Sequence, residues 1–277
     1  MIVGTSTGAI IALALASGVR AESVLKLYLE RGGEIFPRRR AFGVLGPAFA
    51  PATLRRQLED MFGKRLFGDV CTRLCVPSAD GRHGDIAVLK TPHHPDFKRD
   101  WMMSVCDVAL ASSAAPMFLP VHAVGGYRFV DGGVWANNPV MVGIVDVLSC
   151  FDISPRRIQV LSIGSGAARP ILGAGPINFG GLFGWLHGGA LIESMMYYSG
   201  QNADGQAGLL IGRDRLLRLE PGSADAEIHM TDFATAKSVL PNQADSVFEA
   251  RKLQLLGMLE IECAPARFFY GPRAALK

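Results

Sequence analysis

Gly4-Thr5-Ser6-Thr7-Gly8 sets a serine between two glycines, where the apolar pair Ile2-Val3 gives way to the apolar run that begins at Ala9. A sharp strand-to-helix turn at such a place lifts a serine hydroxyl clear of its own backbone. Gly4 and Gly8 are both expected to be needed for that turn, because a Cβ at either would collide with neighbouring chain. The helix N-terminus behind the serine offers unpaired N–H groups, that of Thr7 among them, to a developing oxyanion. The chemistry suited to this arrangement is nucleophilic acyl transfer. A serine hydroxyl is a poor nucleophile until a base takes its proton. The strongest partner in the chain is Asp131, where the run Tyr127-Arg128-Phe129-Val130 meets Asp131-Gly132-Gly133. A strand would place the carboxylate, and Gly132 and Gly133 would let the chain turn away and another backbone approach. An ordinary carboxylate, with a pKa of about 3.9, is a weak base. Apolar surroundings raise that value, and Phe129, Val130, Val134 and Trp135 are the residues expected to supply them.

The six histidines are His83, His93, His94, His122, His187 and His229. A Ser-His-Asp triad needs one of them at a strand end with a carboxylate behind it. His93 and His94 lie between Pro92 and Pro95, in what reads as an exposed loop. His122 follows Leu119-Pro120-Val121, and the others have no supporting context. The five cysteines (Cys71, Cys75, Cys106, Cys150 and Cys263) are odd in number and scattered, which favours a reducing compartment over a disulfide framework. Cys71 and Cys75 stand four apart without a second Cys or His pair at metal-ligand spacing. No metal and no organic cofactor is implied.

Around these residues the pattern alternates strand and helix. A buried helix is expected over 7–17, rich in alanine for close approach to a sheet and closed by Gly18. A second is expected over 22–31, and a third over 53–62 with Thr53 as N-cap. Strands are expected over 70–76 and 85–91, a helix over 101–111, and a short strand over 127–130. Asn138-Pro139 opens a further helix with Asn138 as cap and Pro139 at its first position. Strands over 158–163 and 216–219 and a closing helix over 244–259 complete the reading. Alternation of this kind implies a three-layer α/β fold, a mainly parallel central sheet with helices on both faces. Ligand sites in such sheets lie at the carboxyl ends of strands, so Ser6, Asp131 and Gly164 are expected on one edge.

Composition narrows the function classes. The chain has 277 residues, 49% of them apolar and 19% charged, enough for one large domain with a sizeable core. A net charge of +3 is too weak to argue for a DNA or RNA polymer as partner. The uncharged first nineteen residues lack a basic n-region and are interrupted by the quintet, so they read as neither signal peptide nor membrane span. Residues 36–49 mix Arg38-Arg39-Arg40 with aromatics, and residues 179–186 are Gly-rich and aromatic. Each reads either as a lid or lipid-contacting patch or as an ordinary covered loop. Met195-Met196-Tyr197-Tyr198, on an expected helix, reads as core in preference to a lipid channel.

The chain resembles the patatin-like phospholipases. Gly4-Thr5-Ser6-Thr7-Gly8 is similar to the family's nucleophile elbow, and Asp131-Gly132-Gly133 to its Asp-Gly-Gly/Ala motif. The stretch from Ala111 to Phe118 resembles its Ser-Ala-Ala-Pro segment. Asn137-Asn138-Pro139 resembles the residues just after its aspartate, and Leu161 to Gly166 one of its strand-and-turn units. The resemblance implies a lipid acyl hydrolase cleaving phospholipid or related glycerolipid esters. Ser6 would be the nucleophile, Asp131 the general base, and an acyl-enzyme the intermediate. It extends to bacterial phospholipase effectors activated by cyclic dinucleotides in anti-phage defence. The resemblance therefore implies a phospholipid or membrane-surface substrate and a cytoplasmic location touching the inner membrane. It also implies a cyclic dinucleotide as candidate activator; Arg38–Arg40 read either as ligands for its phosphates or, more simply, as solvated surface. The family pattern carries a Gly-Gly-Gly-x-Arg/Lys-Gly oxyanion loop ahead of the elbow, whereas only Met1 to Val3 precede the quintet here. The expectation is a single domain over 1–277 without its first strand and without that loop. Thr7 N–H then remains as oxyanion donor, with reduced activity and stability. Two other classes stay open. One is a family relic acting as a binding protein. The other is a serine peptidase on a related scaffold, which would need a catalytic histidine.

Overall fold

The computed structural model describes residues 1–35, 49–166, 190–221, 228, 232–259 and 265–275. Arg38–Arg40, most of the 36–49 segment, the 179–186 segment, His187, His229 and Cys263 lie outside them. The chain divides into two compact units. One comprises Met1–Gly133, Val142–Asp152 and Ile261–Lys277, and the other Val134–Met141 and Ile153–Glu260.

The first unit runs β1 (Ile2–Val3), α1 (Thr7–Ala16), α2 (Ala21–Ile35), α3 (Pro51–Phe62), β2 (Leu74–Asp80), β3 (Asp85–Lys90), α4 (Val105–Ser113), β4 (His122–Val124) and β5 (Tyr127–Asp131). It also takes most of a later helix, Val140–Cys150. β2 is the central strand, fully buried from Leu74 to Val76. Along one flank it pairs antiparallel with β3, from Cys75↔Lys90 to Asp80↔Asp85. Cys75 also pairs with Val3 of β1, and Ser78, Ala79 and Asp80 also pair with Asp131, Val130 and Phe129 of β5. A residue has one partner per flank, so β1 and β5 share the flank opposite β3. β1 runs parallel to β2 and β5 antiparallel, so their carboxyl ends point at one another along that flank. Pro77, which has no N–H to give a ladder, lies opposite the gap between them.

The α/β class holds, but the sheet is mixed rather than mainly parallel. Among the described residues, parallel pairing is confined to β1–β2 and, in the second unit, to β6 (Val160–Ile163) with β7 (Leu216–Leu219). The reason is the connections. β2 returns into β3 through residues 81–84, and β4 into β5 through Gly125 and Gly126, both at positive φ. Links this short can only form antiparallel hairpins.

Local chemistry explains where other elements begin. α1 buries Ala9, Ile10, Ala12, Leu13, Ala14 and Ala16, joined in the core by Leu58, Phe62, Phe67, Leu89 and Phe129. Full burial of each large side chain stabilises by about 1.5–3 kcal/mol. α3 starts at Pro51, with Ala50 and not Thr53 as N-cap, because proline's fixed φ suits the first helical position. α4 starts at Val105, later than the apolar pattern suggests. The Ser104 hydroxyl oxygen accepts the Asp107 N–H at 3.0 Å and caps the helix there. In the second unit, α5 (Gly133–Ala136), the helix entry at Val140, α7 (Ala190–Ile211) and α8 (Phe233–Leu259) accompany β6 and β7. The helix over Val140–Cys150 is α6. Asn138 caps it as expected, its Oδ1 accepting the Val140 N–H at 3.2 Å. α8 begins well before residue 244 and passes through Pro241. Among the described residues, no helix is long and apolar enough to cross a membrane.

Candidate active site

Ser6 sits between β1 and α1 with φ 54° and ψ −121°, a backbone region that costs a non-glycine residue about 1–3 kcal/mol. Close packing enforces the turn. A Cβ on Gly4 would stand 2.2 Å from the Gly8 carbonyl oxygen, so Gly4 is obligatory. Gly8 is not, since a Cβ there would meet nothing within 4 Å. The expectation that both glycines are sterically required is therefore corrected. Gly8 is an ordinary first-turn residue of α1, and the close approach falls on one side of the serine only. Thr7 is exposed and opens α1, so its N–H has no intrahelical acceptor.

Asp131 ends β5 and is 4% exposed. Its Oδ1 accepts the Gly133 N–H at 2.6 Å, and the Ser6 side chain lies near enough to its carboxylate to lower its pKa. Burial pushes its pKa above the ordinary carboxylate value, and Ser6 and the Gly133 N–H offset only part of that rise. The strained serine and the raised carboxyl are thus brought near one another across 125 residues of sequence. Phe129, on the same strand, is buried, whereas Val134 is 47% exposed and does not act as an apolar shield. Gly132 approaches β2 so closely that a Cβ would lie 2.3 Å from the Pro77 carbonyl oxygen.

A third segment, the end of α4, joins the two sides. The Ser6 N–H donates to Ser112 Oγ at 3.0 Å, and the Ser112 hydroxyl donates to the Pro77 carbonyl at 2.6 Å. The Asp131 N–H donates to the Ala114 carbonyl at 3.0 Å. The Ser78 hydroxyl is shared between the Ala111 and Val130 carbonyls, at 2.9 and 2.8 Å. Sequence reasoning gives this segment no task of its own. Two consecutive small serines at the buried end of a helix are the available signal.

The four described histidines are engaged elsewhere. His83 bonds Asp80, His94 pairs with Asp96 at 3.5 Å and His122 with Asp107 at 3.1 Å. His93 is not on an exposed loop. It is buried, with Nδ1 2.8 Å from Thr91 Oγ1 and Nε2 2.7 Å from Asp146 Oδ2. Lys90 Nζ stands 2.6 Å from the other Asp146 oxygen. Cys75, His93 and Asp146 place donor atoms within 4.8 Å of one another. The 2.7 Å His93–Asp146 separation is hydrogen-bond spacing, whereas ligands sharing a tetrahedral zinc lie roughly 3.4 Å apart. Burial, and Asp146 beside it, raise the Cys75 pKa, so its thiol stays protonated. These donors satisfy one another as an ion-pair network between the sheet and α6.

A serine on a strained, glycine-backed turn and a buried aspartate with a raised pKa thus stand at one site. The model of the patatin-like phospholipase family matches residues 1–144, which include both residues. The chain belongs to the patatin-like phospholipase family. It is 36% identical over 177 residues to a cGAMP-activated phospholipase of Escherichia coli (strain TW11681), covering 60% of this chain and 50% of that protein. A cGAMP-activated phospholipase of Vibrio cholerae serotype O1 is 35% identical over 162 residues, 53% of this chain and 45% of that one. Patatin-like protein 2 of Arabidopsis thaliana is 27% identical over 227 residues, covering 67% and 55% respectively. The chain spans about half the length of the curated relatives it matches.

Proposed function

We propose that the chain is a lipid acyl hydrolase that cleaves phospholipid or related glycerolipid esters through a Ser6–Asp131 dyad. The observation that carries this reading is the strained serine beside a buried carboxyl whose pKa burial raises. A raised pKa makes Asp131 a better base than a free carboxylate. Asp131 takes the Ser6 proton as Oγ bonds to the ester carbonyl carbon. The resulting oxyanion is met by the Thr7 N–H at the start of α1. The carbonyl–alkoxy bond then breaks, and the departing alcohol takes the proton back from Asp131. Water gives a proton to the same carboxylate as it attacks the acyl-enzyme; the acyl–Oγ bond breaks, Oγ takes that proton back from Asp131, and the fatty acid is released.

The names of the Escherichia coli and Vibrio cholerae relatives support a second element, activation by a cyclic dinucleotide. The substrate class supports a cytoplasmic protein that touches the inner membrane peripherally. The test is fatty-acid release from phosphatidylglycerol or phosphatidylethanolamine vesicles by the full-length protein, with and without cGAMP, for wild type, Ser6→Ala and Asp131→Asn. Release that both variants abolish is expected. Full activity in either variant refutes the dyad, equal rates with and without cGAMP refute the activation, and an inactive wild type that still binds lipid leaves a binding protein.

A further inference from the structure

The geometry points to Ser112 as the positioning residue of the nucleophile, an inference that rests on the reading of Ser6 as the attacking group. Ser112 is wholly buried and touches both halves of the site. Its hydroxyl hydrogen is committed to the Pro77 carbonyl at 2.6 Å, which turns the oxygen lone pairs toward the Ser6 N–H at 3.0 Å. Its own carbonyl receives the Gly132 N–H, with 3.4 Å between the heavy atoms. One residue therefore ties the amide of the nucleophile, the turn after the base, and the strand between them.

The Ser6 conformation makes this tie consequential. At φ 54° and ψ −121° the serine is held where a free chain would not leave it. The Gly4–Gly8 contact permits the turn, but a steric allowance does not select one orientation of the Ser6 peptide. A directed hydrogen bond does. Without the Ser112 oxygen, the Ser6 N–H loses its acceptor and the Pro77 carbonyl loses a donor, both in buried surroundings. The elbow would then relax toward ordinary backbone and carry Oγ away from Asp131. Ser113, the next residue, is the built-in contrast. Its hydroxyl is also buried, but it has no hydrogen-bond partner among the described residues.

The experiment measures the second-order rate at which a fluorophosphonate modifies Ser6 in the full chain. Each protein is held at a temperature where circular dichroism shows it folded. Ser112→Ala is expected to lower that rate about ten- to a hundredfold, and to lower kcat on a soluble ester with little change in KM. Ser113→Ala is expected to stay within about threefold of wild type, since it removes a hydroxyl with no hydrogen-bond partner among the described residues. If Ser112→Ala does not fold, Ser112→Cys keeps the shape with a sulfur that is a poor acceptor, and the same drop is expected. Retention of wild-type labelling by the folded Ser112 variant overturns the inference, as does an equal loss in Ser113→Ala, which would mean general loosening. A wild type that labels no better than Ser6→Ala overturns the nucleophile reading itself and the inference with it.

Discussion

Substituting alanine at the two glycines of the elbow should have opposite effects. Gly4→Ala puts a Cβ 2.2 Å from the Gly8 carbonyl oxygen, 2.5 Å from its carbon and 2.9 Å from the Ala9 nitrogen. All three are backbone atoms of the first turn of α1, so no side chain can swing aside. To restore even a tight 3.0 Å contact, β1 and α1 must separate by about 0.8 Å. Forcing apart packed elements costs about 1–3 kcal/mol. The displaced residue is Ser6 itself, and a misplacement near 1 Å costs about 10²-fold in rate. At Gly8 the added methyl meets open space within a helix. Gly8→Ala should therefore stabilise by about 0.5–1 kcal/mol, through lower unfolded-chain entropy and better helix propensity. Urea denaturation gives the stabilities, and fluorophosphonate labelling of Ser6 gives the effect on the nucleophile. If Gly8→Ala destabilises as much as Gly4→Ala, or if Gly4→Ala labels like wild type, the one-sided account of the elbow is wrong.

Ester hydrolysis should rise with pH through an apparent pKa above the ordinary carboxylate value, the direction in which burial moves Asp131. A carboxyl whose folded pKa is raised contributes stability that is present below its unfolded pKa and lost as pH rises through the folded one. Asp131→Asn should accordingly be more stable than wild type at pH 7, an advantage that shrinks toward pH 4, while its hydrolysis is abolished. Thermal melts across that range check the sign. Asp146 behaves oppositely. Burial alone would raise its pKa, but the bonds from His93 and Lys90 outweigh that and leave it lowered. Its stabilisation is present above the unfolded carboxylate pKa and fades as pH falls through the lowered one. Asp146→Ala strands a buried histidine and a lysine and should cost about 3–5 kcal/mol at neutral pH in a denaturation experiment.

The candidate site is legible in sequence to the extent that its chemistry is local. Ser6 and Asp131 each carry glycines that announce an unusual backbone, and the flanking apolar runs place each at a strand end. The illegible part depends on distant partners. Nothing near Gly8 reveals that the space beside it is empty, whereas Gly4 is crowded by a helix turn four residues on. The head-on approach of β1 and β5 comes from their registers on β2, and a two-residue strand has no pattern from which register could be read. β4 leaves no signal because three residues, none of them fully buried, carry too little alternation. The expected start of α8 falls late because Pro241 looks like a stop, and tertiary context overrides it. His93, flanked by prolines, looks like exposed loop and is instead bonded to a carboxylate 53 residues away.

The shared flank of β2 makes the site a gauge of strand register. Ser6 is fixed by Val3↔Cys75 and Asp131 by Ser78↔Asp131, two independent ladders on one ruler. A slip of β5 by a single residue would carry the carboxylate about 3.4 Å along β2 and turn it to the opposite face of the sheet. Either change alone separates the carboxylate from Ser6. A chain that collapses with its hairpin misaligned would bury nearly as much apolar surface and still hold no paired serine. Reactivity of Ser6 toward a fluorophosphonate would therefore report the fraction of molecules with a correctly aligned sheet, a quantity that bulk helicity does not reveal.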